Sequence, residues 1–448
     1  AMSSPADTIA ALATPVGTSA LAVVRVSGAQ AGEITRAIFG QLPPARMARH
    51  ADYRDVRGTV VDDVLFTFFA APNSYSGEDT LEISCHGNPF IAQRILEDLI
   101  RRGCRAAEPG EFTKRAFLSG RIDLSQAEAV MDLIHARSER ALAAANQQLR
   151  GSLGRRMEEL IGQLLACLAA LEAYIDFPDE DLPPENRDEV LERIRKLQLA
   201  TSNLLATSHY GEVLRSGVRT VIVGEPNAGK SSLLNRLVGR DRALVSAEPG
   251  TTRDYLEELI SVGPHALRLV DTAGLNASPT TLERRGIEKT LEQAAQADLF
   301  LWVVDVTAPL PELPVNLQTR LTPENTLVVL NKCDLGTVRA EAPKGFAVLS
   351  VSALQGDGLE QLIAQLAAMA DRFRTEVGDE VIAINARHAD ALERARAALQ
   401  SSDEKLRAGE SIELIASELR ESLACFGEIA GRVDNERMLD VLFAQFCI

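Results

Sequence analysis

Cysteine is scarce in this 448-residue chain, and the six present (85, 104, 167, 333, 425 and 447) show no CxxC or zinc-type spacing. No zinc or redox motif is therefore expected, and a reducing cytoplasm is the compartment that fits. Basic residues are also short: 47 Lys and Arg against 63 Asp and Glu leave a net charge of −16. A general polyanion binder needs clustered cations, so any nucleic-acid contact is expected to be local or supplied by a partner. No apolar run approaches the ~18 residues of a membrane helix, and no cationic-then-apolar leader opens the sequence. Internal repeats, low-complexity tracts and a dinucleotide-binding glycine pattern are absent too. What remains is an ordinary globular composition, at a length that predicts roughly three domains.

Four short segments, in order, carry the chemistry. Gly224-Glu-Pro-Asn-Ala-Gly-Lys230-Ser231 follows the apolar run Thr220 to Val223 and precedes the helical pattern Ser232 to Leu237, the strand–loop–helix setting of a phosphate-binding loop. Its glycines turn backbone N–H groups toward phosphates, the helix N-terminus adds positive dipole, and Lys230 reaches the β- and γ-oxygens. Ser231 would place its hydroxyl on Mg²⁺. Thr251-Thr252 follows in a loop, and Asp271-Thr-Ala-Gly274 ends a second apolar strand; Asp271 can hold a metal-bound water and the Gly274 amide can sense a γ-phosphate. Asn331-Lys-Cys-Asp334 chooses the base, because Asp334 can accept from the ring N–H and amine of guanine, which adenine does not offer. A buried carboxylate left unpaired by the wrong base costs ~1–3 kcal/mol or more. Ser352-Ala353, after the strand Phe346 to Val351, is placed to offer amides to the guanine oxygen. The candidate GTP-binding set is Asn227, Ala228, Gly229, Lys230, Ser231, Ser232, Ser246, Ala247, Glu248, Pro249, Gly250, Thr251, Thr252, Asp271, Thr272, Ala273, Gly274, Asn331, Lys332, Asp334, Ser352, Ala353 and Leu354.

The texture around these segments predicts mixed α/β over 1–120, with strands at Leu21–Val26 and Leu81–Cys85, a strand or hairpin over Thr59–Ala71 and a helix over Pro89–Arg102. Helical spacing then runs from a capping box at Ser125 and Glu128 to Ala173, breaks at 176–184, and resumes from Arg187 to about Leu214. The GTPase strands occupy 217–371, and helices return at Ala389–Leu399, Ile412–Phe426 and Met438–Phe446. Helices on both sides imply a GTPase domain inserted into a helical one; a separate C-terminal bundle is the alternative. Motion of the nucleotide loops would then act on two helical connections at once.

Outside the GTPase region stand Val24-Arg25-Val-Ser-Gly28, Pro72-Asn-Ser-Tyr-Ser-Gly-Glu78, Pro109-Gly-Glu-Phe112, Ser119-Gly-Arg121 and Gly427-Glu-Ile. With these the chain resembles the MnmE (TrmE) family of tRNA-modification GTPases along essentially its whole length. The resemblance implies an α/β and α fold: an N-terminal tetrahydrofolate-binding, dimerising α/β domain (1–120), a discontinuous helical domain (121–216 and 372–448), and an inserted Ras-like P-loop GTPase domain (217–371).

It also fills gaps in the hydrolytic machinery. Leu275 stands where Ras-like enzymes have a water-orienting glutamine. The resemblance gives that role to Glu283, which is otherwise a solvated helix residue. No arginine finger is evident; the family instead uses K⁺, with Asn227 as ligand beside oxygens of Ser246, Glu248 and Thr251, and Thr252 as second Mg²⁺ ligand. Asn227 also suits a plain turn after Pro226. Activity should then depend on K⁺ and on pairing of two GTPase domains in a homodimer. Arg25, Glu82 and Arg121 fall at folate-contacting positions by the resemblance; taken alone, Arg25 and Glu82 read first as a structural ion pair. Relatives usually end in Cys-x-Gly-Lys, whereas this sequence stops at Ile448, and Cys447 reads as packing or as a nucleophile.

By resemblance the chain works with a flavoprotein, MnmG (GidA), which brings FAD and NADH. Together they would install a (carboxymethyl)aminomethyl group at C5 of the wobble uridine of certain tRNAs. A ribosome-assembly GTPase switch is the alternative, disfavoured by the missing basic RNA-binding domain. A membrane-remodelling GTPase is disfavoured by the lack of any apolar or polybasic membrane segment.

Overall fold

The computed structural model of the chain describes residues 7–176, 187–244, 257–271, 294–311, 313, 315–336, 343–374, 382–431 and 443. Two compact units emerge: one from residues 1–131 with 427–448, the other from 132–426. No helix among the described residues is long and apolar enough to cross a membrane.

The first unit is built on a six-stranded sheet: β1 (Ile9–Leu12), β2 (Leu21–Ser27), β3 (Arg49–Arg54), β4 (Val60–Phe69), β5 (Thr80–His86) and β6 (Arg105–Ala106), in the order β3-β4-β5-β2-β1-β6. All pairs are antiparallel except β1 with β6. Helices α1 (Ala31–Phe39) and α2 (Pro89–Arg101) contribute Ile34, Ile38, Ile95 and Leu99 to a core shared with Val24, Val26, Phe66, Leu81 and Ile83. Buried Tyr53 donates its hydroxyl to Asp98 at 2.9 Å, and Asp98 also accepts from the Val56 amide and Arg102, so that a charge inside the core is fully partnered. Helices α3 (Glu111–Leu118) and α4 (Leu124–His135) follow.

The capping box of α4 lies two residues earlier than Ser125 and Glu128. Asp123 accepts from the Gln126 amide at 2.8 Å and Gln126 returns a carboxamide oxygen to the Asp123 amide at 2.9 Å, while Ser125 sits inside the first turn and donates to Asp123. The reciprocal bond needs an acceptor at each end, and Asp with Gln supplies it as well as Ser with Glu. The Thr59–Ala71 region is the single strand β4, whose hairpin partner is the polar β3.

The second unit combines helices with a sheet. Helices α5 (Glu139–Leu149), α6 (Ser152–Asp176), α7 (Arg187–Ala206) and α8 (Ser208–Ser216) precede the sheet; α12 (Ala386–Ala408) and α13 (Ile412–Ala430) follow it. Helix α12 starts three residues ahead of Ala389 because Asn385 and His388 form a reciprocal cap. The sheet has the order β12-β11-β10-β7-β9-β8, from β7 (Val218–Val223), β8 (Glu257–Val262), β9 (His265–Asp271), β10 (Leu299–Asp305), β11 (Thr326–Asn331) and β12 (Ala347–Val351). Only β8 runs antiparallel to its neighbour. Helices α9 (Lys230–Leu244), α10 (Val315–Gln318) and α11 (Leu359–Ala370) complete the layers, with Leu233, Leu237, Leu362 and Leu366 packed on one face of the sheet. The parallel strands are buried on both faces, which is why they read as continuous apolar runs. The 438–446 helix (Phe443 apart), the 177–184 break and Cys447 lie outside the described residues.

In the first unit, the Glu111 carboxylate, 6% exposed, accepts from Arg105 at 2.7 and 3.0 Å, from Arg115 at 2.9 Å and from the Glu108 amide at 2.8 Å. Burial alone would push this carboxyl up; the bonds from Arg105, Glu108 and Arg115 outweigh it and draw it down to about 2. A depressed carboxyl stabilises the fold fully above the unfolded value near 4.5 and loses that contribution as pH falls toward 2. Glu111→Gln is expected to cost about 3 kcal/mol at neutral pH, since Arg105 and buried Arg115 lose a charged partner that Asp7 and Glu78 replace only in part. Urea denaturation should show the gap to wild type narrowing below pH 4.5.

Candidate nucleotide site and a second polar cluster

The parallel strands end in register. Ile222 pairs with Asp271, Val223 with Trp302, Asp305 with Asn331, and Asn331 with Val351. The loops that leave them therefore gather along one edge, where open α/β sheets bind ligands.

The loop after β7 could not be built from other residue types. Gly224 has φ 148°, and a Cβ there would lie 2.2 Å from the Val303 carbonyl oxygen. Gly229 has φ 93°, with its notional Cβ 2.1 Å from Asn331 Nδ2. Between them exposed Asn227 takes the left-handed conformation, φ 64°, which asparagine tolerates better than most residues. Lys230 opens α9 and is 3% exposed; its Nζ donates to the Gly224 and Glu225 carbonyls, both at 2.6 Å. Burial pushes its pKa down, and nearby Asp271 and Glu225 oppose that. The Ser231 hydroxyl donates to Asp271 Oδ2 at 3.2 Å, across two loops.

Asn331 joins this loop to the base-reading side. Its side chain, at 2% residue exposure, donates from Nδ2 to the Ala228 carbonyl at 2.9 Å and accepts at Oδ1 from the Ala353 amide at 3.0 Å. Lys332 follows with φ 66°, and half-buried Asp334 lies in a 3-10 turn over Cys333–Leu335. The Ser352 amide donates to the Asp357 carbonyl at 3.0 Å. Both amides expected to face a guanine oxygen thus have protein partners, because this turn is closed on itself and on Asn331. Ser232 and Leu354 are exposed beside it.

The second cluster lies in the first unit. Arg25 and Glu82 are direct cross-strand neighbours on β2 and β5. Arg25 Nε and Nη2 donate to the same oxygen, Glu82 Oε1, at 2.9 and 2.7 Å. The guanidinium lies 5.2 Å from the Tyr75 ring centre and 5.5 Å from that of Phe112. Exposed Arg121 is on the next loop, with its Cγ 3.1 Å from where a Gly77 side chain would begin.

Comparison with known proteins gives a family for this arrangement. Residues 8–121 match the model of the GTP-binding protein TrmE N-terminus, and residues 124–447 match that of the MnmE helical domain. A tRNA modification GTPase MnmE from Opitutus terrae is 58% identical over 445 residues, covering 99% of this chain and 98% of that protein. Proteins of the same name from Akkermansia muciniphila and Aquifex aeolicus are 45% and 39% identical, over 100% and 99% of this chain and the same shares of their own. The chain belongs to the MnmE family of tRNA modification GTPases.

Within this MnmE-family chain the structure brings together Asn227, Ala228, Gly229, Lys230, Ser231, Asp271, Asn331, Lys332, Asp334, Ser352 and Ala353 along one sheet edge. Ser246, Ala247, Glu248, Pro249, Gly250, Thr251, Thr252, Thr272, Ala273, Gly274 and Glu283 lie outside the described residues. Tyr75 and Phe112 were not singled out from sequence, although both sit in segments that carry the family resemblance.

Asn331→Ala removes both cross-loop bonds and leaves a buried carbonyl and a buried amide unpaired. Each such loss costs about 1–3 kcal/mol, so guanine-nucleotide affinity is expected to fall at least roughly tenfold. Titration with a fluorescent GDP, with circular dichroism to verify folding, checks this; wild-type affinity would show that the bridge does not shape the site.

Proposed function

We propose that this chain is a GTP hydrolase that, with the flavoprotein MnmG (GidA), adds a (carboxymethyl)aminomethyl group to C5 of the wobble uridine of certain tRNAs. The observation that carries the nucleotide part is the alignment of phosphate loop, Asp271, Asn331-Lys332-Asp334 and Ser352-Ala353 on one strand edge, tied by Asn331. Three regions share the work: 1–120 for folate and dimerisation, 217–371 for GTP, and 121–216 with 372–448 as the helical domain.

In this reading, amides of the 224–230 loop and the α9 N-terminus receive the phosphates, and Lys230 turns its ammonium from loop carbonyls to phosphate oxygens. Asp334 accepts from guanine. Ser231 and Asp271 present two oxygens 3.2 Å apart, a donor set suited to a hard cation, so Mg²⁺ would be held there directly or through water, with Thr252. Mg²⁺ would neutralise charge on the β- and γ-phosphates. Asn227 would offer K⁺ a side-chain carbonyl from its exposed turn, completed by Ser246, Glu248 and Thr251; Glu283 would orient the attacking water. Pairing of two GTPase domains in a homodimer would activate hydrolysis.

The Arg25–Glu82 pair suits a flat heteroaromatic ring with N–H donors. Both arginine bonds fall on Oε1, so Oε2 can accept from a pterin N–H, while Tyr75, 37% exposed, supplies aromatic surface and buried Phe112 backs the guanidinium. A tetrahydrofolate derivative held there, with Arg121 at its edge, would supply the one-carbon unit. FAD would sit on the partner, and the complex would work on tRNA in the cytoplasm.

Two measurements test this. Replacing K⁺ by Na⁺ is expected to lower GTP turnover at least roughly tenfold, since the cation takes the place of an arginine finger worth about 10³–10⁵ in rate, while Kd for GTP stays nearly unchanged; equal turnover in the two salts removes the potassium role. Mass spectrometry of tRNA nucleosides from cells lacking the protein is expected to show loss of the C5-modified wobble uridine, and an unchanged profile overturns the tRNA assignment.

A further inference from the structure

Asp305, the last residue of β10, belongs to none of the four motif segments, yet it touches one of them. Its Oδ2 accepts from Lys332 Nζ at 2.6 Å, and its Oδ1 accepts from the Thr307 amide at 2.9 Å and the Thr307 hydroxyl at 2.7 Å. The two oxygens thus have separate tasks: one closes the turn after β10, the other holds the lysine. Asp305 and Asn331 are register partners on adjacent strands, so the lysine stem crosses from the end of β11 to the end of β10, along the edge where the site residues gather. Lys332 lies between Asn331, locked to two loops, and Asp334, and its left-handed φ of 66° turns it away from the path of the strand. The side chains are 24% and 32% exposed, intermediate between a free surface pair and a desolvated one.

We propose that Asp305 is a positioning residue of the nucleotide site, fixing the Lys332 ammonium so that the apolar stem of that lysine stands as a preformed wall of the base slot beside Asp334. This rests on the guanine-nucleotide reading above. A free lysine stem samples many rotamers, and ordering it at the moment of binding weakens affinity; an ion pair already in place removes that cost. Burial raises the Asp305 carboxyl, but the bonds from Lys332 and Thr307 outweigh it and hold the group ionised through the neutral range. The effect should fall on affinity for GDP and GTP alike, because neither partner is at the phosphate end.

D305N is the discriminating variant, since it keeps an oxygen for the Thr307 turn and loses the charge. In the full chain it is expected to weaken fluorescent-GDP binding about three- to tenfold, the size of one side chain's ordering cost. KM for GTP should rise in step while kcat holds. K332A should give a similar loss, and the D305N/K332A double variant should be no weaker than K332A alone. T307V, which disturbs only the turn, should bind as wild type does. Wild-type affinity in D305N, or losses in D305N and K332A that add in the double variant, would overturn the proposal. Competition of ADP against GDP on the wild-type chain separately tests the guanine reading: equal competition would sink that reading, whatever the double-variant result.

Discussion

The buried carboxamide of Asn331 is the constraint on which the nucleotide edge depends. It serves both neighbours at once from separate atoms and without charge, as a donor for the Ala228 carbonyl and an acceptor for the Ala353 amide. An aspartate would repel the carbonyl, and a leucine would strand both. Gly229 is required by the same contact, because any side chain there would occupy the space of Asn331 Nδ2. Three loops that leave three separate strands are thereby fixed relative to one another before any ligand is considered. Asp305 with Lys332 adds β10, which lies between β11 and β7, to that frame, and Ser231 with Asp271 extends it outward to β9. Preorganised polar groups of this kind cost no rearrangement when a charged ligand arrives.

The first unit solves a different problem with charge. Glu78 and Glu111 share Arg115, which also donates to the Asp7 carbonyl, and Ser27 donates to Glu78 at 2.7 Å. Each carboxylate in this network accepts from more than one donor, which is what permits its burial. The network lies on β2, the 76–78 loop and α3, elements that also carry Arg25, Tyr75 and Phe112. The guanidinium of Arg25 is held by two rings as well as by its carboxylate partner.

The phosphate loop and the base-reading segment were legible in the sequence because their chemistry needs consecutive residues: backbone amides in series, or Asn and Asp three apart on one turn. The parallel strands were legible for a related reason, since burial on both faces leaves only apolar residues. What escaped was nonlocal or polar. Asp305 meets its lysine 27 positions away, and Tyr75 and Phe112 meet Arg25 only once the sheet has formed. The edge strand β3, Arg-His-Ala-Asp-Tyr-Arg, carries one fully buried side chain, so it has no apolar alternation to reveal it. The cap of α4 was misplaced by two residues because two pairs at the right spacing overlap, and only the hydrogen bonds separate them. The Ser352 and Ala353 amides were assigned outward because their bonds to Asp357 and Asn331 depend on a turn that composition does not specify.

Strand β9 links the site to the helices of its own unit. One end is Asp271, bonded to Ser231; the other is His265, 3% exposed, whose Nε2 lies 3.0 Å from Asp371 Oδ1. Arg140, on α5, donates to that same oxygen at 2.7 Å, and its amide donates to the Pro264 carbonyl at 3.2 Å. Between those ends β9 is bonded on both sides, to β7 and to β8, so it cannot slide without breaking its ladders. A strand moves along its axis by whole two-residue steps or not at all, because a one-residue slip would turn its buried face outward. Displacement of Asp271 along the strand would carry β9 as a rigid rod against Asp371 and Arg140. The Arg140–Asp371 ion pair and the His265–Asp371 hydrogen bond at the far end make that displacement costly, and so the fold holds Asp271 in place beside Ser231.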